Sequence, residues 1–288
     1  MNNIVNMSFA HFKKHFWYGE TNLDIFLDYP YRLDGGFFFL CTAGEATLCH
    51  DVNEYHIRQN TESILLPDST FYMKNRSADF NIRLFTFSKE LFDEVSLELG
   101  FSFSEFLREL PFYGHTEENK FTEDTFAWLN MAELISNDIE NRFLALMQRN
   151  FLQSYLMYLY ERIRIKMNLT AFKLTRKQEL FHQFMSLLSK HCREQRNVRF
   201  YAAKLNITSS YLYKITREST SFKSPKNLID KYFILEIKIL LQSPKLTISE
   251  IAYRLGFPNE SYFCRYFKRH TGMSPKNYRA IKLNLFGC

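Results

Sequence analysis

Arg265, Lys268 and Arg269 recur at helical spacing in the stretch SEIAYRLGFPNESYFCRYFKRHTGMSPKNYR, on the side away from Phe263 and Phe267. Cations on one face of a helix do a definite kind of chemistry. A guanidinium can hold two acceptors on a base edge, and an ammonium neutralises a phosphate. A second grouping, His50, Glu54 and His56 in CHDVNEYH, offers imidazole and carboxylate, the ligand types of iron or zinc sites. Asp51-Val52-Asn53 reads as a turn, however, which would part His50 from Glu54. Ordinary strand positions are the competing reading, and no metal or other cofactor is expected. No nucleophile, glycine-rich phosphate loop or carboxylate pair stands out, so catalysis is not expected either.

The elements that must position the cations can be read from the same stretch. Ile251, Ala252 and Leu255 share one helical face, Gly256 interrupts it, and Tyr262, Phe263, Tyr266 and Phe267 resume at spacings of three and four. A glycine tolerates the left-handed backbone of a sharp corner, and Asn259 or Glu260 can open the next helix. Two short helices about a tight corner form a helix-turn-helix. The pattern occurs twice. A shift of fifty residues lays Ala202 on Ala252, Leu205 on Leu255, Asn206 on Gly256, and Ser224-Pro225-Lys226-Asn227 on Ser274-Pro275-Lys276-Asn277. One residue more lays Ser210-Tyr211-Leu212 on Ser261-Tyr262-Phe263, and Lys214 and Arg217 on Arg265 and Lys268. Asparagine is the next most tolerant residue of the left-handed conformation, so the corner survives in both copies. Tandem units at about 198–218 and 247–271 follow.

Charge divides along the chain in the same way. Residues 173 to 288 hold 22 Lys and Arg against 7 acids, and the earlier residues 15 against 24, so +15 and −9 combine in the net +6. An imbalance of this size over the repeats points to a polyanion. With 46 % hydrophobic and 17 % aromatic residues in 288, two packed domains are expected. Cysteines 41, 49, 192, 264 and 288 have no CxxC pair and read as reduced thiols. MNNIVNMSFAHFKKHFWYGE lacks the apolar core of a signal peptide, and no run is long enough for a membrane span. A soluble cytoplasmic protein is the expectation.

From Gly36 to about Phe87 the period shortens to that of several short strands, punctuated by Ala43-Gly44, Asp51-Val52-Asn53, Pro67-Asp68 and Asn75-Arg76-Ser77. A small barrel or sandwich fits, with Phe37, Phe39, Phe71, Phe80 and Phe85 in its core. Helical spacing takes over after Ser88. Phe126, Leu129 and Glu133 open one segment, and Ile139, Phe143, Leu146, Phe151, Tyr155, Leu159 and Ile163 continue a long one. Leu152, Leu156 and Tyr160 supply that segment with a second apolar face, which is expected to meet a partner subunit or another part of the same chain. Lys166 to Lys177 is the expected hinge.

Residues Ile248, Glu250-Ile251-Ala252, Gly256-Phe257, Ser261-Tyr262-Phe263, Arg265, Phe267-Lys268, Gly272, Ser274-Pro275 and Tyr278-Arg279 resemble the signature of the AraC/XylS family of bacterial transcription regulators. The first unit departs from it at Thr216, where the family usually has Phe, and at Phe222, near a usual Gly. More loosely, Gly44-Glu45, the ILLP ending at Pro67 and the DFNIRLFTFS ending at Ser88 resemble the family's cupin-like sensing domain. The resemblance implies an α+β chain: a cupin-like β-barrel with dimerisation helices over residues 1–170, then an all-α DNA-binding domain over 173–288. A linker helix over Pro225 to Gln242, ~27 Å long, would set two recognition helices against successive major grooves ~34 Å apart. Implied base-edge residues are Ser209, Ser210, Tyr213 and Lys214, then Asn259, Glu260, Ser261 and Arg265. Arg217, Lys268 and Arg269 are cast as phosphate contacts. Duplex DNA, a second copy of the chain, RNA polymerase and a small-molecule effector are the implied partners. A cupin-type metalloenzyme with an appended DNA-binding module, and a regulator whose first half only dimerises, are the alternatives.

Overall fold

The computed structural model describes residues 11, 14–99, 107, 111–114, 119–166, 175–219, 224–243 and 245–285. The chain divides into two compact units, Met1–Lys173 and Leu174–Cys288. Most of the expected hinge, residues 167–174, lies outside the described residues, as do Phe222 and Cys288.

The first unit opens with strands β1 (Phe16–Thr21), β2 (Tyr31–Arg32), β3 (Gly36–Ala43), β4 (Glu45–His50), β5 (Asn53–Arg58), β6 (Thr61–Leu65), β7 (Thr70–Arg76) and β8 (Asn81–Phe87). A further strand, β9 (Phe112–Gly114), follows helix α1 (Lys89–Leu99). They form two sheets, in the orders β1-β8-β3-β6-β9 and β2-β7-β4-β5. The expected barrel is therefore not closed. The chain passes from one sheet to the other at Gly44, with no ladder between β3 and β4, and each sheet keeps two edges. Gly44 is required there: its φ is +68°, and a Cβ would lie 2.7 Å from the Phe80 backbone.

Because side chains alternate along a strand, β3 serves two cores. Phe37, Phe39 and Cys41 join Leu48, Ile57, Phe71, Met73 and Phe80 between the sheets. Phe38 and Leu40 join Phe85 and Phe87 on the other face, against the helices. Strand β1 was not legible among the strand signals, yet it pairs along its whole length with β8, from Phe16 opposite Phe87 to Thr21 opposite Ile82.

Helices α2 (Asn119–Asn137) and α3 (Leu144–Lys166) cover that second face. Here one expectation is corrected, and one pair of alternatives is decided. Ile139 and Phe143 do not continue a helical stripe: the Asn141 side chain accepts from the Phe143 amide at 2.9 Å and donates to Asp138 at 2.7 Å, which breaks the helix. Ile139, Phe143 and Leu146 are left 77 %, 53 % and 53 % exposed. Leu152 and Leu156, expected on a second face, are wholly buried with Phe151, Tyr155 and Leu159 in the same chain's core. A helix can hide both faces by lying in the fork between a sheet and two neighbours. Where α3 passes β6, the buried Glu62 carboxylate accepts from Arg162 and from the Thr125 hydroxyl of α2.

The second unit has helices joined by turns and no strand among its described residues: α4 (Arg176–His191), α5 (Val198–Lys204), α6 (Ser209–Ser219), α7 (Pro225–Leu241), α8 (Ile248–Arg254), α9 (Glu260–Thr271) and α10 (Pro275–Leu285). Helix α7 is its axis. Leu228, Ile229, Tyr232, Phe233, Leu235, Ile237 and Leu241 are buried around its circumference, so it packs on both helical pairs. The buried carboxylate of Glu236 accepts from Arg193 Nε at 2.6 Å. Helix α4 escaped the sequence reading, although Leu180, Phe184 and Leu188, all buried, recur at every fourth position.

Candidate nucleic-acid interface

The corners of the two helical pairs are the same object built from different residues. Asn206 has φ 54° and Gly256 φ 66°. In each, the amide three residues beyond the last helical residue returns to the helix, Ile207 to the Ala202 carbonyl and Phe257 to the Ala252 carbonyl, both at 3.0 Å. That is the left-handed closure which satisfies carbonyls at a helix end. The second helices open alike too. Thr208 Oγ1 accepts from the Tyr211 amide at 3.1 Å, and Asn259 Oδ1 from the Tyr262 amide at 2.8 Å. Ser224 and Ser274 then cap α7 and α10 through the amides of Asn227 and Asn277. The first helix of the second pair is further held by a capping box between Thr247 and Glu250, whose hydrogen bonds hold the Glu250 carboxyl below its ordinary range.

With the corners fixed, the facing of α6 and α9 follows. Phe263 and Phe267 are fully buried, and so are their counterparts Leu212 and Thr216. Thr216 fills the place of a phenylalanine, and its hydroxyl is satisfied by the Leu212 carbonyl at 2.7 Å. Opposite lie two matched exposed stripes: Ser210, Lys214 and Arg217 on α6, and Ser261, Arg265 and Lys268 on α9. Ser209 is half-buried, and Tyr213 and Tyr262 are 40 % and 49 % exposed. Asn259, Glu260 and Arg269 are exposed as well, with the Arg269 guanidinium lying 5.8 Å from the centre of the Tyr266 ring. Among the described residues, neither Arg265 nor Lys268 has an ionic partner within the chain.

Three cations lie beside the first stripe that the sequence reading did not single out. Arg196, Arg199 and Lys226, with Ser209 and Tyr213, line a cavity of about 650 Å³. The shift of fifty residues aligns Arg196 and Arg199 with Leu246 and Ser249, so the repeat gave no signal for them. His50, Glu54 and His56 are not brought together. His50 is buried near Phe112, Glu54 pairs with Lys74, and His56 lies 3.5 Å from Glu45.

Residues 201–281 match a family described as "Helix-turn-helix domain". The second unit carries a helix-turn-helix domain of the AraC type. Among curated proteins, the chain is 42 % identical over 83 residues to the Msm operon regulatory protein of Streptococcus mutans, covering 27 % of this chain and 28 % of that one. It is 30 % identical over 112 residues to the HTH-type transcriptional regulator YdiP of Escherichia coli K12, covering 38 % and 36 %. The match thus spans roughly a third of each relative. A solved structure of ToxT from Vibrio cholerae covers 92 % of this chain and 98 % of its own, at 16 % identity and a TM-score of 0.49. No helix of the described residues is long and apolar enough to cross a membrane.

Proposed function

We propose that this chain is a transcription regulator that binds duplex DNA sequence-specifically through α6 and α9, with control exercised through the first unit. The observation that carries the reading is the pair of matched exposed stripes set on helices whose opposite faces are locked into one core. In it, Ser209, Ser210, Tyr213 and Lys214, then Asn259, Glu260, Ser261 and Arg265, face base edges, and Arg217, Lys268 and Arg269 face phosphates. Titration of the full chain into a labelled mixed-sequence duplex tests it. Affinity should fall steeply between ~50 and ~200 mM salt as counterions are released. Absence of binding at low salt would end the reading.

Control by a small-molecule effector, by self-association, or by both belongs to the same proposal. For self-association the supporting feature is the apolar end of the helical hairpin of the first unit. Met131, Leu134, Ile139, Phe143 and Leu146 are exposed there, interleaved with Asp138, Glu140 and Arg142. A patch carrying both signs beside apolar side chains is complementary to its own two-fold copy.

A further inference from the structure

We infer that the cavity beside α6 is a preorganised phosphodiester clamp, in which Arg196, Arg199 and Lys226 hold the DNA backbone flanking the groove entered by the first recognition helix. The inference rests on the DNA-binding reading and goes beyond it, because none of these residues lies on a recognition helix.

The cations are placed before any ligand arrives. Arg196 lies over two rings, its guanidinium carbon 4.8 Å from the centre of Phe233 and 4.9 Å from that of Phe257. Lys226 Nζ is 2.7 Å from Asp230 Oδ1, and the same oxygen accepts from the Tyr266 hydroxyl at 3.0 Å. Fixing a long cationic side chain normally costs rotamer entropy on binding; here packing has already restricted two of the three. Arg199 is exposed and, among the described residues, has no ionic partner. Glu194 lines the wall and Asp230 pairs with Lys226, so three cations meet two acids. Asn197, Val198, Ser209 and Tyr213 complete the lining, and the last two belong to the face of α6 assigned to DNA, so a strand running along that face passes the cations.

The two halves of the repeat support a division of labour. In the second copy Lys276 keeps the place of Lys226, but Arg196 and Arg199 are replaced by Leu246 and Ser249, and Ser209 by Glu260, so two of the three cations are lost and an acid is gained. The second helical pair has Arg269 on its recognition helix instead, where the first pair has Glu218, tied up by Lys177 at 2.7 Å. The first helical pair therefore adds a grip from beside its recognition helix to that of Arg217, and the second pair carries its extra cation on the helix itself. Because Phe257 and Tyr266 come from the second pair, the clamp keeps its geometry only when both pairs are docked on α7.

Binding of the whole 288-residue chain to a labelled mixed-sequence duplex, as a function of salt, tests this with Arg199→Ala, Arg199→Lys and, at the equivalent place in the second helical pair, Ser249→Ala. Arg199→Ala should lower the slope of log K against log salt by ~0.9, the loss of one phosphate contact, without changing base preference or melting temperature. Arg199→Lys should keep the slope, and Ser249→Ala should behave as the unaltered chain. An unchanged slope in Arg199→Ala, with the unaltered chain binding normally, overturns the clamp and leaves the DNA-binding reading standing. Failure of the unaltered chain to bind removes both. If inorganic phosphate raises the melting temperature of the unaltered chain but not of Arg199→Ala, and the slope does not change, the cavity takes free anions and the backbone assignment is overturned.

Discussion

Arg265 stands one turn into α9 on the side opposite Phe263 and Phe267, and the burial of those two rings leaves it no other direction. Arg265→Ala should therefore cost ~1–3 kcal/mol of binding and relax preference at one or two base pairs. Lys268→Ala should weaken every duplex alike; sequence-resolved binding to a panel of duplexes separates the two outcomes. The buried pair in the first unit behaves differently. Glu62→Ala leaves the Arg162 guanidinium without its carboxylate in a site that is 10 % exposed. A loss of ~3–5 kcal/mol of stability is expected, read from thermal or urea unfolding of the full chain. Glu62→Ala that unfolds like the unaltered protein would show the pair to be dispensable. Residues of the first kind were legible in the sequence, because helical period and an internal repeat fix their facing. Glu62 and Arg196 were not, because Arg162, Phe233 and Phe257 come from elements far away in the sequence, and Arg199 was not, because the repeat has Ser249 in its place.

Among elements, the corners show how much local chemistry can carry. A Cβ at Gly256 would meet nothing within 4 Å, so substitution there is a test of backbone conformation alone. Gly256→Ala should cost ~1–2 kcal/mol from its left-handed φ, whereas Gly256→Asn should cost much less, as Asn206 already occupies the same corner. Equal losses for the two variants in urea unfolding would contradict that account. The helical pairs were readable for this reason: caps, corners and apolar spacing all lie within a few residues of one another. The sheets were not readable to the same depth. Short alternating strands identify a β unit, but which strand pairs with which is settled by contacts such as Phe16 with Phe87, and closure by whether β3 and β4 share a ladder. Likewise the period of α3 correctly gave two apolar faces, and only the fold shows that Leu152 and Leu156 are both spent within the chain.

At the scale of the molecule, net charge is divided between two compact units, with the excess of cations on the unit that carries the helix-turn-helix domain. If the exposed hairpin end mediates self-association, Leu134→Asp combined with Phe143→Asp should shift the full chain to a smaller species in sedimentation, with its melting temperature little changed, since both side chains are more than half exposed. A species unchanged in mass would remove the hairpin from the account. In the proposed function α6 and α9 read DNA together, because α7 holds them in one core. Selection of bound sites from a randomised duplex pool by the full-length chain tests it most directly. The recovered sites should share two blocks of preferred bases separated by about one helical turn, ~10–10.5 base pairs between centres; a single block, or a pool with no preferred bases, would contradict it.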